Sequence, residues 1–547
     1  MTRVYIFNNA SRAAGYGIGT YVRQMVETVA SADGYEVSLI EIWADVDDFE
    51  IRKEEGGICR YMIPLLKSGS EDEAYLRSVY YFLIRHMDIE KDDRIVFHFN
   101  YYQHLTLALM LKEYYPDCRI ILTVHYFMWC FDLKGNLTKF RRSMDESQAL
   151  TRKWGDDSGS TYAAIGMTYA LEQQFLNLAD EVIALSRWAV TVLEKDYKVL
   201  PSKINLIYNG ISDYAISSTE RLAPAANSRN VVFVGRLDRI KGLDYLIAAF
   251  AEVADRYPDV RLLIAGDGDF RPYMESARKI RGRVSFLGKM GLEDIESLYR
   301  TAYVGVMPSF HEQCSYTAIE MMRHGVPMIA TDSTGLGEML DDIPELRINI
   351  DEETFDEEAF TRQIASRLDL LLGDTVMRER MGERARAIYL DRYTAGRMAE
   401  RYMDVVSRSL RRTDYLSPDY LIHLDRHMKY LINSRPDIDT DFFGMGGIGV
   451  YLWWRSLQLK DRDVDKVRTA SIMEYLIYYI DWLEETACGG VLPDEVIAML
   501  CDMERHGFYT PAVRRIISSN KNPDESCVLP ESDIIIKNAL KICNCKI

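Results

Sequence analysis

Short runs of uninterrupted apolar residues recur along the first 210 positions, each followed by a longer stretch with helical periodicity. Residues 4–7, 37–40, 95–99, 120–124 and 182–185 read as strands, and residues 18–30 as a helix. Strands that lack polar alternation and are separated by amphipathic stretches predict a parallel sheet covered on both faces. Residues 131–159 break the rhythm with charges and glycines, which predicts a loop or helical insertion over one mouth of that sheet. A second alternating series follows, with strands expected at 230–234, 261–265, 284–287, 304–307 and 328–330. Helices are expected between them at 243–256, 270–279, 295–303 and 315–325. From about Asp414 the strand runs cease, and residues 420–432, 449–459 and 467–484 carry a helical pattern rich in Tyr, Leu and Ile.

The expected fold class is therefore α/β, with two Rossmann-like lobes facing a cleft and a mostly α-helical C-terminal module. The expected divisions are a first lobe over 1–210, a second over 211–395, a further stretch over 396–412, and the helical module over 413–547. In open α/β sheets ligands lie at the carboxyl ends of strands, so the cleft between lobes is the default site.

A length of 547 residues suits about three domains, and 48% hydrophobic with 27% charged residues excludes wholesale disorder. The formal charge of −17 argues against nucleic acid as a partner, which requires a basic face. Nine cysteines are too sparse for a disulfide scaffold, and their odd number cannot all pair. The opening apolar run of four or five residues is too short for a signal peptide, and no stretch of about 18 apolar residues spans a membrane. A cytoplasmic chain is expected, with peripheral membrane contact left open.

Two motifs carry chemistry. In Gly235-Arg236-Leu237-Asp238-Arg239-Ile240-Lys241-Gly242 a strand ends, a glycine permits a turn, and Arg236 and Lys241 precede a helix. Two cations beside a helix N-terminus make an anion site inside an otherwise acidic chain, suited to a nucleotide diphosphate as leaving group. In the second, Glu312 follows a strand and Glu320 lies about two helical turns on, with Ser315 as the expected N-cap and the following N–H groups directed at the cleft. Gly15-x-Gly17-x-Gly19 falls short of a dinucleotide fingerprint, since no acidic residue follows at the ribose position.

Together, Gly235-Arg236…Lys241-Gly242 and Glu312-x7-Glu320 resemble the donor site of retaining glycosyltransferase family 4, of GT-B fold. The pieces 15–19, 179–186, 208–211, 265–268 and 330–338 match in order and spacing, so the resemblance covers roughly residues 1–412 and not 413–547. It implies that a hexose-type sugar passes from a nucleotide-sugar donor to the hydroxyl of a carbohydrate, lipid-linked or peptide acceptor, with retention and without a metal or other cofactor. Arg236 and Lys241 would neutralise the diphosphate, Glu320 would bind the ribose, and Glu312 would contact donor-sugar hydroxyls. His125 would stand near the donor sugar, although a lone histidine at a strand end is more often merely packed. Gly235, Gly266 and Gly268 would let backbone approach the donor. Gly17 and Gly19 would close over the phosphates or the acceptor, and Ser315, Tyr316 and Thr317 would bind the donor at the helix start. Gln313 and Cys314 depart from the family's small residues, which would bear on the choice of donor sugar.

An epimerase or phosphorylase of the same fold, or a non-catalytic sugar-nucleotide-binding subunit, are the competing readings. In the last module, residues 441–454 suggest a docking groove or a tight helix–helix turn, and the module is a candidate for recruiting the acceptor or a partner. Asp461-x-Asp463-x-Asp465 reads as a solvated turn, and Cys543-x-Cys545 as free thiols rather than a metal site.

Overall fold

The computed structural model describes residues 1–10, 17–54, 56–65, 73–90, 92–115, 117–150, 160–213, 229–351 and 353–411. The expected helical module over 413–547, with its glycine-rich stretch, its aspartates and Cys543 and Cys545, lies outside the described residues, as does Gly15.

The first lobe is built on β1 (Thr2–Asn9), β2 (Tyr35–Ala44), β3 (Glu50–Lys53), β4 (Cys59–Pro64), β5 (Arg94–Phe99), β6 (Arg119–Val124), β7 (Glu181–Ala184) and β8 (Ile204–Leu206), in the order β3-β4-β2-β1-β5-β6-β7-β8. Every neighbouring pair is parallel except β3 with β4. The second lobe contains β9 (Arg229–Val234), β10 (Val260–Ala265), β11 (Val284–Gly288), β12 (Ala302–Met307), β13 (Met328–Thr331) and β14 (Arg347–Ile348), in the order β11-β10-β9-β12-β13-β14. All its pairs are parallel. Both sheets reverse strand order at a switch point, β1/β5 in the first and β9/β12 in the second, where doubly wound sheets bind ligands.

The two-lobed parallel α/β architecture is as expected, because the strands have no polar face. Tyr5 and Phe7 of β1 join one buried cluster, and Val4 and Ile6 join another. Phe97 and Phe99 likewise separate from Val96, and Ile120 and Leu122 from Ile121. Alternate side chains thus feed two cores on opposite faces of one sheet, and each fully buried large side chain contributes about 1.5–3 kcal/mol.

The unpredicted elements have local causes. Strand β3, Glu-Ile-Arg-Lys, is an exposed, charged edge with no apolar run, a composition that protects a sheet edge. Strand β4, Cys-Arg-Tyr-Met-Ile-Pro, has Arg60 and Tyr61 among its apolar residues, and strands β8 and β14 have only three and two residues. The helix expected over 270–279 is reduced to a turn at Arg271–Met274 and another at Arg278–Ile280. Where described, the insertion over 131–159 holds the end of the helix Trp129–Asp132, a turn over 133–136 and the helix Leu137–Leu150.

The chain crosses between lobes twice at one place. Ile211 donates its N–H to the Tyr393 carbonyl at 3.0 Å, and Ala395 returns one to Ile211 at 2.9 Å. The crossings touch because Gly210 has no side chain: a Cβ there would sit 2.4 Å from the Thr394 carbonyl oxygen. The helix Ala395–Arg411 then lies on the first lobe, where Tyr402 is hydrogen-bonded to His98 Nδ1 at 2.8 Å and Ser407 to Tyr35 at 3.1 Å. Its Met398, Tyr402 and Val405 belong to a buried cluster that runs from β1 of the first lobe through the second. Among the described residues no helix is long and apolar enough to cross a membrane.

Candidate active site

The site grows from the ends of β9 and β12. After β9 the chain makes a 3-10 turn at Arg239–Lys241 and enters the helix Leu243–Val253 through Gly242. Gly242 holds φ = 66°, and a Cβ there would lie 2.2 Å from the Pro308 carbonyl oxygen just after β12. Phe310 donates to the Ile240 carbonyl at 2.8 Å and completes the seam between the two loops. The seam brings Lys241 Nζ within 2.5 Å of Glu312 Oε1, both side chains being largely buried. Arg236, about one-third exposed, pairs with Asp238 at 3.2 Å. The expected cationic pocket is therefore charge-compensated, each cation having its own carboxylate.

Glu312 is held by its backbone. Its N–H donates to Thr334 Oγ1 at 3.0 Å, and its carbonyl accepts from the same hydroxyl at 2.6 Å and from Gly335 N–H at 2.8 Å. Thr334 holds a left-handed φ of 45°, a conformation that costs a non-glycine residue about 1–3 kcal/mol. No hydrophobic period marks Thr334; only its place in the 330–338 run could have pointed to it.

Ser315 is the expected N-cap, its Oγ accepting from Ala318 N–H at the start of the helix Tyr316–Arg323. The free N–H groups of that first turn are those of Tyr316 and Thr317. The Tyr316 side chain turns away to the first lobe: its hydroxyl donates to Gln24 Oε1 at 2.8 Å, and its ring lies 3.5 Å from where a Gly17 Cβ would be. Glu320 accepts from Tyr299 Oη at 2.8 Å, and burial pushes its carboxyl up to about 7. Gly266 and Gly268 make a close approach to the protein itself. A Cβ on Gly266 would lie 1.7 Å from the Gly235 carbonyl oxygen, and one on Gly268 would lie 2.7 Å from Leu237 Cβ. They seat the loop after β10 against the one after β9.

The first lobe contributes the helix Gly17–Ala30, which contains Gly19, and the end of β6. Gly17 abuts Tyr316, while Tyr21 packs edge-on to His125 with ring centroids 4.7 Å apart. His125 Nε2 is 2.9 Å from Asn100 Oδ1, and burial lowers its pKa to about 3. Gln24 Nε2 also donates to the Gly210 carbonyl at 2.6 Å, which ties this helix to the crossing point. Asn100 and Gln24 carry no sequence signal of their own.

Gln313 and Cys314 are lobe-to-lobe residues. Ser186 Oγ donates to Gln313 Oε1 at 2.7 Å, Asn209 Nδ2 donates to the Cys314 carbonyl at 2.7 Å, and both side chains are buried. Nearby, Arg187 N–H donates to the Glu338 carboxylate at 2.8 Å. The Gln313 side chain thus serves the contact between the lobes, whereas Cys314 contributes its backbone carbonyl.

Two family models match this chain: Glycosyltransferase Family 4 over residues 16–213 and Glycosyl transferases group 1 over residues 228–369. Each lobe is thus matched by a glycosyltransferase model, the first by family 4 and the second by group 1, which supports a family 4-like glycosyltransferase. An uncharacterized glycosyltransferase of Methanocaldococcus jannaschii is 31% identical over 173 residues, 29% of this chain and 44% of its own length. Alpha-D-kanosaminyltransferase of Streptomyces kanamyceticus is 32% identical over 173 residues, 30% of this chain and 42% of its own length. The chain thus spans less than half the length of these curated relatives. Among solved structures, sucrose-phosphate synthase from Thermosynechococcus elongatus superposes with a TM-score of 0.55 at 20% identity, covering 75% of this chain and 99% of that one. WaaG, a glycosyltransferase involved in lipopolysaccharide biosynthesis, gives 0.52 at 17% identity over 74% of this chain and 99% of its own. These likenesses give the glycosyltransferase lobes the GT-B fold.

Proposed function

We propose that the chain transfers a hexose-type sugar from a nucleotide-sugar donor to an acceptor hydroxyl, with retention of anomeric configuration. The observation that carries this reading is the meeting of Lys241 and Glu312 at the β9/β12 switch point, beside Arg236 and the Ser315-capped helix. Arg236, Lys241 and the first-turn N–H groups of Tyr316 and Thr317 receive the diphosphate. Glu320 takes the ribose hydroxyls on the carboxylate oxygen that Tyr299 leaves open. Glu312 addresses donor-sugar hydroxyls near the reacting carbon while keeping Lys241 in place, and His125 meets the same sugar from the first lobe.

The bond between the anomeric carbon and the phosphate oxygen breaks while the acceptor oxygen bonds to that carbon on the same face. The acceptor's proton passes to the departing phosphate oxygen. Charge grows on the phosphate during this step, so fixed cations and N–H dipoles lower the barrier without moving. The kanosaminyltransferase among the relatives is named for sugar transfer, which supports the same reaction class here. The test is a panel of UDP-, GDP- and ADP-sugars offered with carbohydrate, lipid-linked and peptide acceptors. Release of nucleoside diphosphate that depends on acceptor, and disappears in Lys241→Ala and Glu312→Ala, is expected. Release unaffected by either substitution refutes the site.

A further inference from the structure

At the β1/β5 switch point of the first lobe, the end of β5 carries a buried asparagine with two defined contacts. Asn100 Nδ2 donates to the Phe7 carbonyl at 3.0 Å, and that carbonyl can only accept. The amide orientation is therefore fixed, and Oδ1 is the atom turned to His125 Nε2 at 2.9 Å. An amide oxygen can only accept, so the imidazole must carry its proton on Nε2.

We propose that Asn100 is a positioning residue for sugar transfer: it locks His125 as the neutral Nε2–H tautomer and leaves Nδ1 as the ring's acceptor for a donor-sugar hydroxyl. The inference rests on the reading of His125 as a donor-sugar contact. Its surroundings agree with a ring kept neutral and still. Among the described residues the groups found against it are Asn100, Tyr21 and His98, and none is a carboxylate. Tyr21 is hydrogen-bonded to Thr123 Oγ1 at 2.9 Å, Thr123 to His98 Nε2 at 2.8 Å, and His98 Nδ1 to Tyr402 of the closing helix at 2.8 Å. The wall behind the imidazole is thereby as fixed as the amide in front of it. Burial lowers the pKa of both His98 and His125 to about 3, so neither ring charges in the neutral range.

The experiment has two arms. In the first, full-length chain labelled with [15N]histidine is examined by long-range 15N–1H NMR at pH 7, with His125 assigned from a His125→Gln sample. Wild type is expected to show a protonated Nε2 and a bare Nδ1. Asn100→Ala is expected to show averaged shifts at both nitrogens and a fall in kcat of about tenfold with donor KM little changed. In the second arm, Asn100→Asp sets a carboxylate against Nε2, raises the imidazole pKa and gives kcat an acidic limb absent from wild type. A His125 tautomer unchanged in Asn100→Ala, or bare at Nε2 in wild type, overturns the proposal. Full activity in His125→Gln instead refutes the role assigned to His125, and the NMR arm reads the tautomer independently of that result.

Discussion

Glu172 on the helix Ser160–Leu178 offers a perturbation whose size can be worked out. Its carboxyl is fully buried, accepts from Met128 N–H at 2.5 Å and is hydrogen-bonded to Tyr197 Oη. It therefore pins the segment that continues from His125. Burial pushes it up to about 8 from an ordinary value of 4.5, more than its two hydrogen bonds offset. Between those values the folded chain holds a proton that the unfolded chain has released. The associated stability is complete below 4.5 and is lost as pH rises through 8. The slope in that window is about 1.4 kcal/mol per pH unit, so wild type loses about 3 kcal/mol between pH 6 and pH 9 through this group. Glu172→Gln keeps an acceptor for Met128 and a partner for Tyr197 but does not titrate. Other groups titrate in both proteins and cancel in the difference. Tryptophan fluorescence, which includes the buried Trp129 nearby, reports thermal unfolding of the lobe. The variant's Tm should gain on wild type by roughly 5–10 °C between pH 6 and pH 9 for a lobe of this size. A Tm difference that stays constant across that range refutes the reasoning.

Three further outcomes are expected. Lys241→Ala removes a cation worth about 4 kcal/mol to a phosphate oxygen about 4 Å away in a half-buried site, so kcat/KM should fall by about 100- to 1,000-fold without a matching loss of Tm. Glu320, pushed up to about 7, is mostly neutral at pH 6 and ionised at pH 8. Donor affinity measured by calorimetry should therefore rise up to about tenfold over that range, and Glu320→Gln should flatten the dependence. Gly266→Ala forces a methyl to within 1.7 Å of the Gly235 carbonyl, so it should destabilise the second lobe by at least about 2 kcal/mol and abolish donor binding; near-wild-type Tm with intact binding contradicts the packing.

The apolar strands of both lobes were legible because a sheet buried on both faces leaves uninterrupted apolar runs, as at β1, β5 and β6. Strands β3, β4, β8 and β14 were not, since a charged edge, a Cys-Arg-Tyr-Met-Ile-Pro run broken by Arg, or two or three residues cannot make such a run. Lys241, Glu312 and the Ser315 cap were readable because glycine punctuation and capping chemistry are local. Their partners were not: Thr334 meets Glu312 across 22 positions, Asn100 meets His125 across 25, and Tyr316 meets Gln24 across 292. Residues whose task is to hold another residue have no motif, and only the fold brings them into contact. Gln313 and Cys314 show the converse. They stand inside a recognisable motif, yet the Gln313 side chain and the Cys314 carbonyl bond across the junction of the lobes.

That junction has a mechanical consequence. Two chain crossings hydrogen-bonded side by side, at Ile211 and at Tyr393–Ala395, resist twisting far more than bending. Any rotation of one lobe against the other would pivot about this doubled crossing and would have to break the Ser186–Gln313 and Arg187–Glu338 contacts. The helix Gly17–Ala30, bonded to the crossing at Gly210 and to the helix Tyr316–Arg323 at Tyr316, joins that pivot directly to the candidate site.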